Sequence, residues 1–424
     1  MNNKYLARDA IRKKLIGKKL TYKEIYAIMD EISRDNLGDV LTTYFVASGY
    51  SKGFSNEEIY HLTKAMVETG EKLEFKGIVA DKHSIGGVPG SRITMIVVPI
   101  VAAAGYKIPK SSSRAITTPA GTADSMEVLA KVSFTEKELY QIIEKAGGCM
   151  VWGGSFNIAP ADDEIIRIEE PLLFESFDKI LVSVMAKKIA FGSSHVVIDL
   201  PYGKYVKLRT EDDAHVLRRK FEFIAKKFNL KIKVVVRRAK EPAGNGIGPL
   251  LEARDALKVL EQTPDRPIAL EEEALRFAGT LLEICLKDDT EKKQKEVKEK
   301  YKDTHIWAKD LLTSGVAREK MMEIVKAQGG KEVESKDLKP AKNKAIIKSE
   351  TAGVVKEINS KDVTILAKIL GAPQSHESGL FLCKKIDDKV DKNEEVAIMY
   401  SHTKAKLKEA LDSLDTFPIF EVER

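Results

Sequence analysis

Two stretches of this chain gather side chains that can hold an oxyanion. The first is Asp81-Lys82-His83-Ser84-Ile85-Gly86-Gly87-Val88-Pro89-Gly90-Ser91-Arg92-Ile93-Thr94, with a lysine, a histidine, an arginine, hydroxyls and clustered glycines. Glycine lets backbone N–H groups approach an anion closely, and a helix starting behind such a loop adds its positive end. The second runs from Ser111-Ser112-Ser113-Arg114 through Ala115-Ile116-Thr117-Thr118-Pro119 to Ala120-Gly121-Thr122-Ala123-Asp124. Either alone reads as a turn, and a lone His83 reads as a structural histidine. Two donor-rich loops in succession, each after a strand, read as a phosphate site at strand carboxyl ends. Neither fits the G-x-x-x-x-G-K-[ST] nucleotide loop or the dinucleotide fingerprint.

The elements that must position these loops are legible around them. Apolar residues from Tyr5 to Ile32 recur at helical spacing, and Thr21-Tyr-Lys-Glu24 and Ser55-Asn-Glu-Glu58 are capping-box starts. Ile78-Val79-Ala80 is a short apolar strand, followed by the glycine loop and an apolar helix from Met95 to Ala104. Lys107–Lys110, Met150–Trp152, Ser194–Ile198 and Val234–Val236 supply further strands, with helices at Pro249–Leu260 and Glu271–Cys285. This alternation predicts an α/β domain after an all-helical start. Asp288–Asp303 is a charge run that reads as a solvated helix. From about Lys342 short β runs appear, at Gly353–Val355, Asp362–Ile365, Leu380–Leu382 and Glu395–Ile398, and predict a small separate α+β domain.

With 424 residues the chain predicts two or three domains. The net charge of +6 suits an anionic small molecule, but basic and acidic residues are interleaved and no nucleic-acid motif is present. Cys149, Cys285 and Cys383 are far apart and odd in number, which argues against a disulfide framework or a metal site. The basic, amphipathic start lacks an apolar run of signal-peptide type, and no window is apolar enough to span a membrane. The expectation is a cytoplasmic enzyme without a membrane partner.

At the second loop the sequence resembles the thymidine phosphorylase/pyrimidine nucleoside phosphorylase family, most closely its archaeal-type AMP phosphorylase branch. The signature S-[GS]-R-[GA]-[LIV]-x-x-[TA]-[GA]-G-T-x-D-x-[LIV]-E stands here as Ser112-Ser113-Arg114-Ala115-Ile116, then Ala120-Gly121-Thr122, Asp124 and Glu127, with Pro119 and Met126 departing from it. The resemblance runs from Tyr5-Leu6-Ala7 through Asp81–Ser84 and Ser183-Val-Met-Ala-Lys187-Lys188 to the last domain. It implies α/β architecture with a discontinuous all-α domain (1–64 and 160–190), a large mixed-sheet α/β phosphate-binding domain (65–159 and 191–341) and a C-terminal barrel-sandwich domain (342–424). It also implies a homodimer and an active cleft that closes on phosphate and nucleoside.

The resemblance assigns the phosphate co-substrate to Lys82, Ser84, Thr94, Ser112, Ser113 and Thr122, and implies no organic cofactor. Ser183 and Lys187 match base-facing positions, Lys207 matches a further ligand contact of the AMP branch, and Gly87, Arg92, Arg114, Ala115, Ile116, Thr117 and Thr118 line the substrate loops. Glu175 is the first proton-donor candidate, with Asp178 and His83 behind it. Two features point to the nucleotide branch. Pro89-Gly90-Ser91-Arg92 resembles that branch's loop and offers Arg92 to a 5′-phosphate, and apolar Ile168 (beside Arg167) stands where pyrimidine members read the base with Arg. Lys82 and Glu175 depart from the AMP pattern, as does a start lacking that branch's extra N-terminal domain. The expected reaction is phosphorolysis of AMP to adenine and ribose 1,5-bisphosphate. A pyrimidine nucleoside phosphorylase, an anthranilate-type phosphoribosyltransferase and a non-catalytic nucleotide-binding protein are the alternatives.

Overall fold

The structure is a computed structural model that describes residues 3–169 and 176–423. The chain opens with α1 (Asn3–Leu15), α2 (Tyr22–Ser33), α3 (Asp39–Lys52) and α4 (Asn56–Glu68). α2 and α4 begin at the expected capping boxes, where Thr21 and Ser55 exchange hydrogen bonds with Glu24 and Glu58. Glu58 also receives the buried Lys14 ammonium at 2.8 Å, which ties α4 to α1.

The α/β part begins with β1 (Ala80–Ser84), α5 (Ile93–Ala103), β2 (Ile108–Ser112), α6 (Thr122–Glu127), α7 (Glu136–Ala146) and β3 (Gly148–Trp152). The chain then returns to the bundle as α8 (Pro160–Glu169) and α9 (Phe177–Ala190), which pack on α2, α3 and α4. It re-enters the sheet as β4 (His195–Tyr202), α10 (Glu211–Lys227) and β5 (Lys231–Arg238). β1–β4–β5 and β2–β3 pair in parallel, and a parallel bridge from Val79 to Lys107 sets β1 beside β2. Where a mixed sheet was expected, every pairing here among the described residues is parallel. The two-residue β6 (Gly246–Ile247), which follows, pairs instead in a C-terminal sheet.

A parallel sheet is buried on both faces, so its strands alternate between two cores. Val196, Ile198 and Leu200 of β4 join the core shared with the helical bundle and α10. Val197 points the other way, into the core made by α5 with α11 (Pro249–Leu260), α12 (Ile268–Lys287), α13 (Glu291–Tyr301), α14 (Thr304–Thr313) and α15 (Val316–Ala327). α13 is the charge run, and it is largely exposed as expected.

The C-terminal part contains β7 (Asn343–Lys348), β8 (Gly353–Ile358), α16 (Ser360–Leu370), β9 (Gly379–Leu382), β10 (Lys389–Val390), β11 (Glu395–Ser401), α17 (Lys404–Asp412) and β12 (Phe420–Glu423). They form two antiparallel sheets, β6–β9–β11–β7 and β10–β8–β12, with their own core. The β-branched run Asp362–Ile365, expected as a strand, lies in α16. Asn359 caps that helix, and Val363, Leu366, Ala367 and Leu370 bury one helical face.

Candidate active site

β1 runs further into the first loop than its apolar residues suggest, so Asp81 to Ser84 are strand residues. Strand geometry sends alternate side chains to opposite faces. Lys82 and Ser84 turn to one face and meet Asp199 of β4: Ser84 Oγ donates to Asp199 Oδ2 at 2.9 Å, and Lys82 Nζ lies 3.9 Å from the same oxygen. Arg237 of β5 donates to both oxygens of Asp199 and also reaches Glu273 of α12 at 2.7 Å. Lys82 is almost fully buried, with its ammonium over the Phe277 ring. Burial holds its pKa down to about 8 against the opposing charge of Asp199.

Asp81 and His83 turn to the other face. Asp81 Oδ2 pairs with Lys188 of α9 at 2.6 Å, and Oδ1 lies 3.8 Å from Lys110 of β2. Burial brings Lys110 down to about 7, with Lys188 adding repulsion. His83 is driven well below its ordinary pKa by burial and then by the charges of Lys188, Lys110, Lys82 and Lys187. It is therefore a neutral imidazole at neutral pH. On one face Lys82 and Arg237 meet Asp199 and Glu273, and on the other Lys110 and Lys188 meet Asp81.

The second loop leaves β2 beside this cluster. Ser112 Oγ is shielded from water and has no hydrogen-bond partner among the described residues. A buried hydroxyl left unpaired is costly unless a ligand completes it. Signature residues explain the loop's shape. Asp124 Oδ2 accepts the N–H groups of Ala115 at 2.6 Å and Gly121 at 2.8 Å. Arg114 binds Asp124 at 3.2 Å and grips both oxygens of Glu127 at 2.5 and 2.8 Å. A Cβ on Gly121 would collide with the carbonyl oxygen of Ser113, so only glycine closes this turn. Arg114, Asp124 and Glu127 thus hold the loop, leaving Ser112 and Thr122 near its inner edge. Ser113, Ile116 and Thr117 are exposed, Thr118 caps the carbonyl of Ala120, and the carbonyl of Ile116 receives Lys368 of α16 at 3.0 Å.

In the glycine loop, Gly87 has φ of +91°, and a Cβ there would come within 3.2 Å of the Lys207 backbone nitrogen. Gly87 and Lys207, predicted separately, therefore meet. Thr94 is buried in the first turn of α5. Arg92, expected to face a 5′-phosphate, is turned inward. Its Nε lies 2.5 Å from Glu252 of α11, and its Nη1 donates to Thr122 Oγ1 at 3.2 Å. It links the two loops from behind.

On the helical side, Ser183 Oγ donates to Asp162 Oδ2 at 2.7 Å, and Lys187 Nζ lies 2.7 Å from the same oxygen and 3.3 Å from Asp163. Burial pushes the Lys187 pKa down, but Asp162 and Asp163 outweigh it and the net shift is upward. Lys187 in turn acts on His83, so this wall faces the strand ends. Asp178 is not brought here. It is nine residues from Lys187, about half a turn round the helix, and it pairs with Lys220 of α10 and the N–H of Phe54. Glu175 lies outside the described residues. Ile168 is buried, and Arg167 points out to Asp39 and Glu164. The sequence reading missed Asp199, Arg237, Glu273 and Asp162. An aspartate inside the apolar strand His195–Tyr202 was the available signal for Asp199.

Fold and site define a class. Residues 8–70 match the model of the glycosyl transferase family helical bundle domain, and 76–220 match that family's a/b domain. Residues 354–417 match the pyrimidine nucleoside phosphorylase C-terminal domain. The chain belongs to this glycosyl transferase family and is a pentosyltransferase of it. It is 42% identical over 401 residues to the AMP phosphorylase of Methanocaldococcus jannaschii, covering 95% of this chain and 78% of that one. It is 37% identical over 404 residues to a putative thymidine phosphorylase of Methylococcus capsulatus, covering 95% and 76%. Its fold is similar to the anthranilate phosphoribosyltransferase of Thermus thermophilus, with a TM-score of 0.61 at 18% identity, covering 76% of this chain and all of that one.

Proposed function

We propose that this chain cleaves AMP with inorganic phosphate, giving adenine and ribose 1,5-bisphosphate. The observation that carries the chemistry is the set of donors at adjoining strand ends: buried Lys82, half-buried Ser84, and Ser112, whose shielded Oγ has no partner among the described residues. The choice of AMP rests on relatives at about 40% identity over most of the chain that bear that name.

The phosphate site holds a phosphate oxygen in line with C1′. As that oxygen bonds to C1′, the C1′–N9 bond breaks and its electron pair leaves with the base, which takes a proton at N7. Positive charge grows on the sugar, as in glycoside cleavage. Holding the two reactants in line supplies much of the acceleration, and protonating the base adds a further part. His83, being neutral, is poorly suited to give that proton, and Asp178 is engaged with Lys220. We assign the role to Glu175, eight residues before Ser183, as the first candidate of the sequence. Lys207, whose backbone and side-chain stem lie beside Gly87, is our candidate for the 5′-phosphate. No organic cofactor enters this scheme.

The second reading is phosphorolysis of a pyrimidine nucleoside. The inward-turned Arg92 favours it, since that side chain is occupied by Glu252 and Thr122. Omitting one substrate at a time separates the classes: a phosphorylase needs free phosphate, and a phosphoribosyltransferase needs a diphosphorylated ribose. The exposed Val40 and Tyr44 of α3, which line a hollow with Ala47, support a homodimer built on this face. Among the described residues no helix is long and apolar enough to cross a membrane.

A further inference from the structure

The helical bundle carries, between α8 and α9, a carboxylate that has no assigned role. Asp162 stands in the first turn of α8 and is almost completely buried. One of its oxygens takes two donors from α9, the Ser183 hydroxyl at 2.7 Å and the Lys187 ammonium at 2.7 Å. Ser183 and Lys187 are four residues apart and so lie on adjacent turns of one helical face. Left alone, a serine hydroxyl rotates freely and a lysine stem samples many rotamers. Sharing one buried acceptor removes that freedom from both.

We propose that Asp162 is a positioning residue for the reaction, one that locks Ser183 and Lys187 into a single substrate-reading geometry. The lock also fixes polarity. Ser183 has one proton, and it is given to Asp162, so Ser183 presents only lone pairs to the cleft. It then accepts from an N–H of the base, while Lys187 keeps further protons to donate. Asp163 is a lesser partner: it is 3.3 Å from Lys187 and half exposed. The inference rests on the phosphorolysis reading above.

The test compares Asp162→Ala, Asp162→Asn, Ser183→Ala and the double variant Asp162→Ala/Ser183→Ala, each checked for an unchanged thermal melt. Asp162→Ala should lower kcat/KM for AMP by roughly tenfold or more, the scale of a lost charge-assisted hydrogen bond. The KM for phosphate should stay within about twofold. Asp162→Asn keeps an acceptor for Ser183 and should recover part of the loss. Residues acting as a unit are non-additive, so the double variant should be little worse than Asp162→Ala. Losses that multiply in full, or a phosphate KM that rises in step with that for AMP, would overturn the proposal. Wild-type protein inert toward AMP would refute the substrate choice instead, and the same comparison would then decide on whichever nucleoside it does cleave.

Discussion

Lys188 on α9 and Asp81 on β1 form a 2.6 Å ion pair in which both side chains are almost wholly excluded from water. The pair joins the helical bundle to the sheet close to where α9 ends and the chain passes back into β4. Removing one partner of such a pair leaves a buried charge without adequate compensation, since Lys110 is 3.8 Å away. Lys188→Met should lower unfolding stability by about 3–5 kcal/mol. Urea denaturation followed by circular dichroism measures it. A loss near that of a surface pair would show that the contact does not hold in solution.

The phosphate assignment predicts that Ser112→Ala and Lys82→Ala raise the KM for phosphate or abolish turnover while the fold survives. A lost charge-assisted hydrogen bond costs about 1.5–3 kcal/mol, roughly ten- to hundredfold. Saturation curves in phosphate at fixed AMP give the answer, and an unchanged KM in both variants contradicts the assignment.

Lys82 must be protonated to attract phosphate, and burial holds it at about 8. kcat/KM for phosphate should therefore fall as pH rises through about 8, and Lys82→Arg, which keeps its charge, should remove that limb. Stability runs the other way. Between about 8 and the ordinary value of 10.5 the unfolded chain binds more protons than the folded one at this residue. Its contribution to unfolding free energy therefore rises with pH across that window. A pH profile of wild type and Lys82→Arg that share the same alkaline limb would exclude Lys82 as its source.

Arg92 and Lys207 divide the loop's two tasks. Arg92→Ala unsettles Thr122 and leaves Glu252 buried without its cation, so kcat/KM should fall together for AMP and for any nucleoside. Lys207→Ala should cost roughly tenfold for AMP and much less for adenosine or uridine. Steady-state kinetics on both substrate types decide this. A loss confined to AMP in Arg92→Ala would return the 5′-phosphate to Arg92.

If the α3 face joins two copies, Tyr44→Glu should yield a monomer by light scattering at concentrations where the wild type is dimeric. A wild-type protein that is monomeric throughout removes this reading.

Local signals marked the elements well. Thr21 and Ser55 announced their helices through side chains three residues away, and the glycine loop stood between a strand and a helix. Asp362–Ile365 misled because β-branched residues locally favour strand, while tertiary burial of Val363 and Leu366 decided for helix. The loop from Ser112 to Thr122 was legible as one unit, because the residues that shape it, Arg114, Gly121 and Asp124, stand close together in the chain. The site was not legible where partners come together only on folding. Asp199 lies far along the chain from Ser84, and Asp162 reaches Ser183 only because α8 and α9 pack together. Arg92 looked like a ligand reader because nothing in its neighbourhood announces Glu252.

The central claim is phosphorolysis of AMP, and phosphorus NMR of a single incubation tests it most directly. With AMP and phosphate present, the phosphate signal should diminish as two phosphoester signals of ribose 1,5-bisphosphate appear, with free adenine formed in equal amount. Without phosphate, nothing should change. Adenine release that proceeds without phosphate, or turnover of uridine or thymidine well above that of AMP, would contradict the account.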